Sequence, residues 1–195
     1  RMDSETPEMI LTDAARELGF SAADKLNDDL VGDMASLTGG TVGAAGTAIT
    51  WSYVAAAIAQ ARNANKSTSV PLVAVIHGYQ AAVLAKAASV AGATVITTPA
   101  TNDLITQKGM AQAFSFYGVP IYQVFNAVDS GNDFKGGVFP RDAIALDWRR
   151  PIRIEAQRDA SRRGIELNMS AVYGHGVWRP ELGVVMYFDA ATPTS

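Results

Sequence analysis

The 195-residue chain contains no cysteine, which excludes disulfides, thiol nucleophiles and cysteine metal sites. Histidine is nearly absent: only His77 and His175 occur, and neither stands in a ligand spacing such as HxxxH. Charged side chains make up 18% of the chain and the formal net charge is -3, so there is no bulk drive toward nucleic acid or an anionic membrane. No apolar run approaches the roughly 20 residues needed to span a bilayer. The N-terminus lacks a basic-then-apolar leader, and the corresponding expectation is a cytoplasmic origin. The glycine run at 39–46 lacks GK[ST] and follows a helix pattern rather than a strand, so it fails as a phosphate loop. There is no GxSxG elbow, and no serine has a histidine and an acid in a suggestive arrangement. Asn65-Lys66-Ser67 and Asn168-Met169-Ser170 match the glycosylation pattern and, without a secretory signal, read as chance. No catalysis, metal or cofactor is expected.

What is present is patterned apolar sequence. Apolar residues reach 48%, enough for one domain or one domain with a sizeable insertion. Near the C-terminus the period is two. Ile152, Ile154 and Ala156 alternate with Arg153, Glu155 and Gln157, and Ile165, Leu167, Met169, Ala171 and Tyr173 alternate with Glu166, Asn168, Ser170 and Val172. This predicts two long antiparallel strands with one apolar face each, joined by the charged turn Arg158–Gly164. Near the N-terminus the period is that of a helix. Thr6-Pro7-Glu8 is a start signal, and Leu11, Ala14, Ala15, Leu18, Ala22, Leu26, Leu30, Met34 and Leu37 recur at threes and fours up to Gly39-Gly40. Such a helix approaches ~45 Å, too long to bury its stripe in a compact fold of this size, with Gly19 a point where it could kink.

Between these ends the sequence predicts a flexible connector over 39–46, a helix from Thr50-Trp51 to about Arg62, a buried strand in Pro71–His77 and an alanine-rich helix over Gly78–Val90. A short strand over 93–98 and irregular chain over 99–109 follow. The aromatic, β-branched run Phe114–Ala127 contains Pro120, which implies an edge position or a bulge. A last strand covers Leu182–Phe188. The fold class is α+β: a long helix and long strands with a helix–strand–helix region inserted between them.

Two clusters remain as candidate sites. Arg149, Arg150, Arg153, Arg158, Arg162, Arg163 and Arg179, with Arg141, make the C-terminal region arginine-rich, with acids interleaved. Asp13, Glu17, Asp24, Asp28, Asp29 and Asp33 make the long helix acidic. Guanidinium suits pairing with carboxylates at a contact, so the two sets are expected to meet, partly between neighbouring chains. Single exposed pairs contribute only about 0–1 kcal/mol, so a network would be required. His77, ending an apolar strand, reads as a hydrogen-bonded core histidine. His175, between Gly174 and Gly176, implies a bulge or a close backbone approach.

In order and spacing these pieces resemble the major capsid proteins of tailed bacteriophages of the Hong Kong ninety-seven type. DAARELGFSAADKLNDDL resembles that family's spine helix, and PLVAVIHGY before an alanine helix resembles its step from apolar strand to helix. Gly118-Val119-Pro120-Ile121 looks like its GVP/GLP strand, Gly136–Trp148 like its GGF…A…W strand, and IRIEAQR through Arg179-Pro180-Glu181 like its closing run. The resemblance implies residues 1–48 and 150–195 as a peripheral domain, with 49–149 as an axial domain inserted between them. It further implies hexamers and pentamers in an icosahedral head around double-stranded DNA, assembled in the host cytoplasm, with cement or scaffolding proteins and a portal as further partners, only non-specific contact with DNA and no membrane. The family's N-terminal arm and extended loop would precede the spine helix, near which this chain starts, so no lysine-to-asparagine cross-link is expected. The rival reading is a soluble α/β enzyme or ligand-binding domain with a pocket near His77, Tyr79 and the 114–127 run.

Overall fold

A computed structural model describes residues 7–66, 69–90, 112–125, 132–159, 161 and 164–193. The expected strand at 93–98, the irregular stretch 99–109, and Arg162 and Arg163 lie outside the described residues. The helices are α1 (Pro7–Met34), α2 (Trp51–Asn65) and α3 (Gly78–Val90). The strands are β1 (Thr41–Gly43), β2 (Leu72–His77), β3 (Gln112–Phe116), β4 (Val119–Val124), β5 (Asp133–Pro140), β6 (Ile144–Asp159), β7 (Gly164–Val177) and β8 (Val184–Asp189). The chain divides into two compact units, Leu30–Ala145 with Gly176–Ser195, and the chain through Asp29 with Leu146–His175.

The larger unit is built on a six-stranded mixed sheet in the order β1-β8-β5-β2-β4-β3. β5 pairs antiparallel with both β2 and β8, while β1 with β8 and β2 with β4 are parallel. Both faces of the sheet are covered, which is why β2 reads as a continuous apolar run. Leu72, Ala74 and Ile76 turn to one face, against Val54, Ile58 and Ala61 of α2 and Leu84 of α3. Val73 and Val75 turn to the other, with Met34, Leu37, Phe139 and Val185. Thr50 caps α2 as its start signal predicts, accepting from Tyr53 N, and the indole of Trp51 donates to Leu84 O, tying α2 to α3.

Three expectations are corrected here. The glycine connector is not free chain: Thr41–Gly43 forms β1, paired parallel with Val185–Tyr187, and Asp133 pins the turn beyond it by accepting from Gly46 N at 2.7 Å. The 114–127 run is not one strand but the hairpin β3–β4. Tyr117 (φ 49°) and Gly118 (φ 74°) both adopt left-handed backbone, as a two-residue type I′ turn requires. Pro120 lies in an internal strand, away from the register shift at Gln112/Phe114. It is tolerated because β4 meets β2 only from Ile121 onward, so at Pro120 the strand is paired on the β3 side alone. The long helix ends at Met34 in a turn that closes through Ala35 N to Gly32 O and Ser36 N to Asp33 O, before Gly39-Gly40.

The smaller unit holds α1 and the two-stranded sheet β6–β7. Only residues 160–163 join the strands, too few for a parallel crossover, so they run antiparallel. α1 passes unbroken through Gly19. Ala14, Ala15, Leu18, Ala22 and Leu26 are half-buried, and Leu167, Met169, Ala171 and Tyr173 of β7 alternate with exposed neighbours as their period predicts. β6 departs from that pattern: its apolar set is uncovered, with Ile152 and Ile154 45% and 40% exposed.

Close packing of the central sheet gives a direct test. A side chain at Gly136 would run into Val75 O on the neighbouring strand, whereas at Gly174 nothing lies within 4 Å. In denaturant titrations Gly136→Ala should cost about 1–3 kcal/mol, and Gly174→Ala should stay within about 0.5 kcal/mol of the parent chain.

Candidate functional site

His77 closes β2 and opens α3 without a linker. Its Nδ1 accepts from Tyr79 N at 3.2 Å, its own N–H donates to Gln80 Oε1 at 3.1 Å, and Gln80 Nε2 donates onward to Phe188 O at 3.0 Å. This is a capping box, with a histidine in the cap position and glutamine three residues on. The neutral ring therefore carries its proton on Nε2. Around it stand the rings of Tyr79, Phe125 and Phe134 at centroid distances of 4.8, 5.8 and 5.5 Å. Burial holds the imidazole pKa below its ordinary 6.5. His77 is the hydrogen-bonded core residue its sequence context implies, and the space beside it is filled with aromatic rings.

His175 makes no close backbone approach: nothing lies within 4 Å of where a Gly174 or Gly176 side chain would begin. It belongs instead to a polar cluster around Asp29. Tyr173 OH donates to Asp29 Oδ2 at 2.6 Å, Lys25 donates to Oδ1 from one helical turn back, and His175 Nε2 stands 3.8 Å away. Hydrogen bonds from Lys25 and then Tyr173 hold the Asp29 carboxyl below the ordinary carboxylate range, and the same contacts raise Lys25 and Tyr173. Trp148 packs on Tyr173 with ring centroids 5.3 Å apart. The cluster fastens hairpin to helix. Lys25–Asp29 is readable as an i,i+4 pair, but Tyr173 is remote in sequence and no local signal points to it.

The candidate interface residues are placed as follows. Asp13, Glu17, Asp24 and Asp28 are exposed on α1, and Asp29 and Asp33 half-buried. Arg149, Arg150, Arg153, Arg158 and Arg179 are exposed, and Arg153 pairs with Glu155 at 2.9 Å, two residues along the same strand face. Asp29 is engaged by lysine and tyrosine. Among the described residues no group of three or more histidine or acidic side chains could hold a metal ion, and no helix is long and apolar enough to cross a membrane.

A family model of phage capsid proteins matches residues 3–186, nearly the whole chain. The chain belongs to the phage capsid protein family. That family is one of structural virion proteins, not enzymes. In fold, this capsid-family chain is similar to a solved structure from Mycobacterium phage Che8, at 18% identity and a TM-score of 0.67 over 92% of this chain and 63% of that one. It is also similar to the encapsulin of Synechococcus elongatus, at 12% identity and a TM-score of 0.65 over 100% and 71%. The capsid of cyanophage P-SCSP1u gives 15% identity and a TM-score of 0.62 over 93% and 66%. The chain thus spans just under two thirds of the two phage proteins' length. No curated protein matches it. The long N-terminal helix with mixed sheets is the α+β arrangement of Hong Kong ninety-seven type capsids.

The capping box sets a pH dependence. Because the folded-state pKa of His77 is depressed, the unfolded chain takes up a proton first as pH falls below 6.5. The contribution is therefore complete above that value and is lost as pH falls toward the folded pKa. His77→Asn keeps an oxygen acceptor for Tyr79 N and removes the titration. Between about pH 7.5 and 5.5 the melting temperature of the parent chain should fall more steeply than that of the variant.

Proposed function

We propose that this protein is the major capsid subunit that assembles into hexamers and pentamers of an icosahedral phage head around double-stranded DNA. The observation that carries the proposal is the family match over residues 3–186. The long hairpin supports it, because its apolar β6 face is uncovered in the single chain and suited to neighbours. A net charge of -3 suits a wall that encloses DNA without binding it specifically. The division into a peripheral domain (1–48 with 150–195) and an axial domain (49–149) belongs to the proposal. The compact unit of the chain through Asp29 with Leu146–His175 supports part of that division, whereas residues 30–48 and 176–195 pack with 49–145, β1 and β8 lying in one sheet with β5 and β2. Cement or scaffolding proteins and a portal are the further partners such a head would need. At the place of the pocket reading, the rings of Tyr79, Phe125 and Phe134 stand around His77.

Within the shell, the arginines of the β6–β7 region, together with Arg179, and the acids of α1 are proposed to meet, partly between neighbouring chains. Electron microscopy of the protein, expressed with whatever coding sequence naturally precedes Arg1, should show closed polyhedral shells or rings of five and six. Small single particles would remove the reading. Arg162→Glu with Arg163→Glu should block assembly while leaving the melting temperature of the subunit unchanged. Shells forming in normal yield would reject the arginine–acid contact and leave the capsid function standing.

A further inference from the structure

The most exposed large apolar side chain among the described residues is Trp178, at 74%. Its backbone is nonetheless held firmly. Trp178 N and Arg179 N both donate to Ala143 O, at 2.8 and 3.2 Å. The following turn, Pro180–Leu182, closes through Gly183 N to Pro180 O and is tied to Thr38 N through Pro180 O at 2.8 Å. The indole borders an open cavity of about 470 Å³ lined by Arg141, Asp142, Ile144, Ala145 and Arg179 as well. A tryptophan on fixed backbone, desolvatable and flanked by two guanidiniums against one carboxylate, has the composition of an interface anchor.

We infer that this cavity is the receiving half of the contact between neighbouring copies of the chain, and that the acidic stripe of α1 around Phe20 fills it. The inference rests on the shell reading and names the two surfaces that meet. At 3.6 residues per turn, Asp13, Glu17, Asp24 and Asp28 fall within a wedge of about 60° on α1, and Phe20 lies about 20° from its edge. All four acids are exposed, as is Phe20 at 52%, with Arg16 placed over its ring at 5.4 Å. The stripe thus presents four carboxylates beside an aromatic side chain flanked on its far side by Arg16, a net-acidic surface that complements an indole beside two guanidiniums and one carboxylate. α1 is also the only described helix that carries acids: α2 and α3 have none. A self-contact of two Trp178 cavities would instead bring four guanidiniums together, which electrostatics opposes. Because the two surfaces differ, the contact is heterologous, the type that closes into rings.

The absence of native cysteine makes a clean test possible. Chains carrying Trp178→Cys and chains carrying Phe20→Cys or Asp24→Cys would be co-assembled, oxidised and run on non-reducing gels. Arg179→Cys serves as the receiving partner where Trp178→Cys blocks assembly. The expected result is a disulfide dimer between the cavity variant and an α1 variant. In parallel, Trp178→Ala should raise the concentration at which rings form by about tenfold or more, with an unchanged subunit melting temperature and substantial rescue by Trp178→Phe. Assembled particles that give no such cross-link, or only one between two copies of position 178, overturn the inference and leave the shell reading intact. Unchanged assembly of Trp178→Ala with loss of retained DNA would reassign the cavity to nucleic acid and overturn it too. A parent chain that forms neither rings nor shells removes the shell reading first, and this inference with it.

Discussion

A two-stranded sheet cannot bury either of its own faces, and the smaller unit of this protein is built on one. Ribbons of this kind are marginal in water unless something packs against them. Here α1 covers the odd-numbered positions of β7 in part, and the Tyr173–Asp29–Lys25 cluster fastens the two elements. On β6 the apolar alternation has no cover, and Ile165 on β7 is 59% exposed. The six-stranded sheet is different: helices close one of its faces, and the Met34–Leu37 segment with its neighbours closes the other. The subunit's own stability therefore resides in the larger unit. In the proposed head the uncovered apolar area of the hairpin would be buried by other chains, so a subunit folded before assembly would gain from it.

The larger unit achieves rigidity with very few polar groups inside. Gln80 and His77 lock the junction of β2 and α3 to β8 through Phe188 O, and Asp133 locks the turn beyond β1. Among the described residues no buried side-chain nitrogen or oxygen lacks a partner, so none of them carries the desolvation penalty that an unpaired polar atom would impose. These bonds link segments far apart in the chain. They align β8, which closes the sheet between β1 and β5, with the central strand β2.

Elements with a sustained period were legible from the residues. The alternation in 152–156 and 165–173 marks both strands of the hairpin, the three-and-four spacing marks α1, and the unbroken run LVAVIH marks a strand covered on both faces. Short or glycine-bearing elements were not. β1 is three residues long and held by pairing with β8 rather than by its own propensity. The β3–β4 turn uses Tyr117 in a left-handed conformation that sequence statistics rarely give to tyrosine. At the candidate site the arginine and acid sets were visible as compositions, and the exposure of Trp178 was not, because burial depends on which surfaces the fold brings over it. The Asp29 cluster was half visible, through the helical Lys25 spacing alone.

In the proposed assembly the sparse charge and the uncovered apolar side chains would serve different steps. Exposed ion pairs contribute at most about 1 kcal/mol each and are screened by salt, so the proposed arginine–acid contacts would guide approach and register more than they would hold chains together. In the proposed head, adhesion would come from apolar anchors, and Trp178, Phe20, Ile152, Ile154 and Ile165 are among the exposed large hydrophobics that could serve. A single pair of chains would then be held weakly, while a closed ring satisfies every contact at once. Weak steps let a misplaced chain leave before the ring closes, whereas one strong patch would trap errors. For the proposed subunit, low charge content and several exposed hydrophobics would then act together, keeping chains separate until several neighbours are present at once.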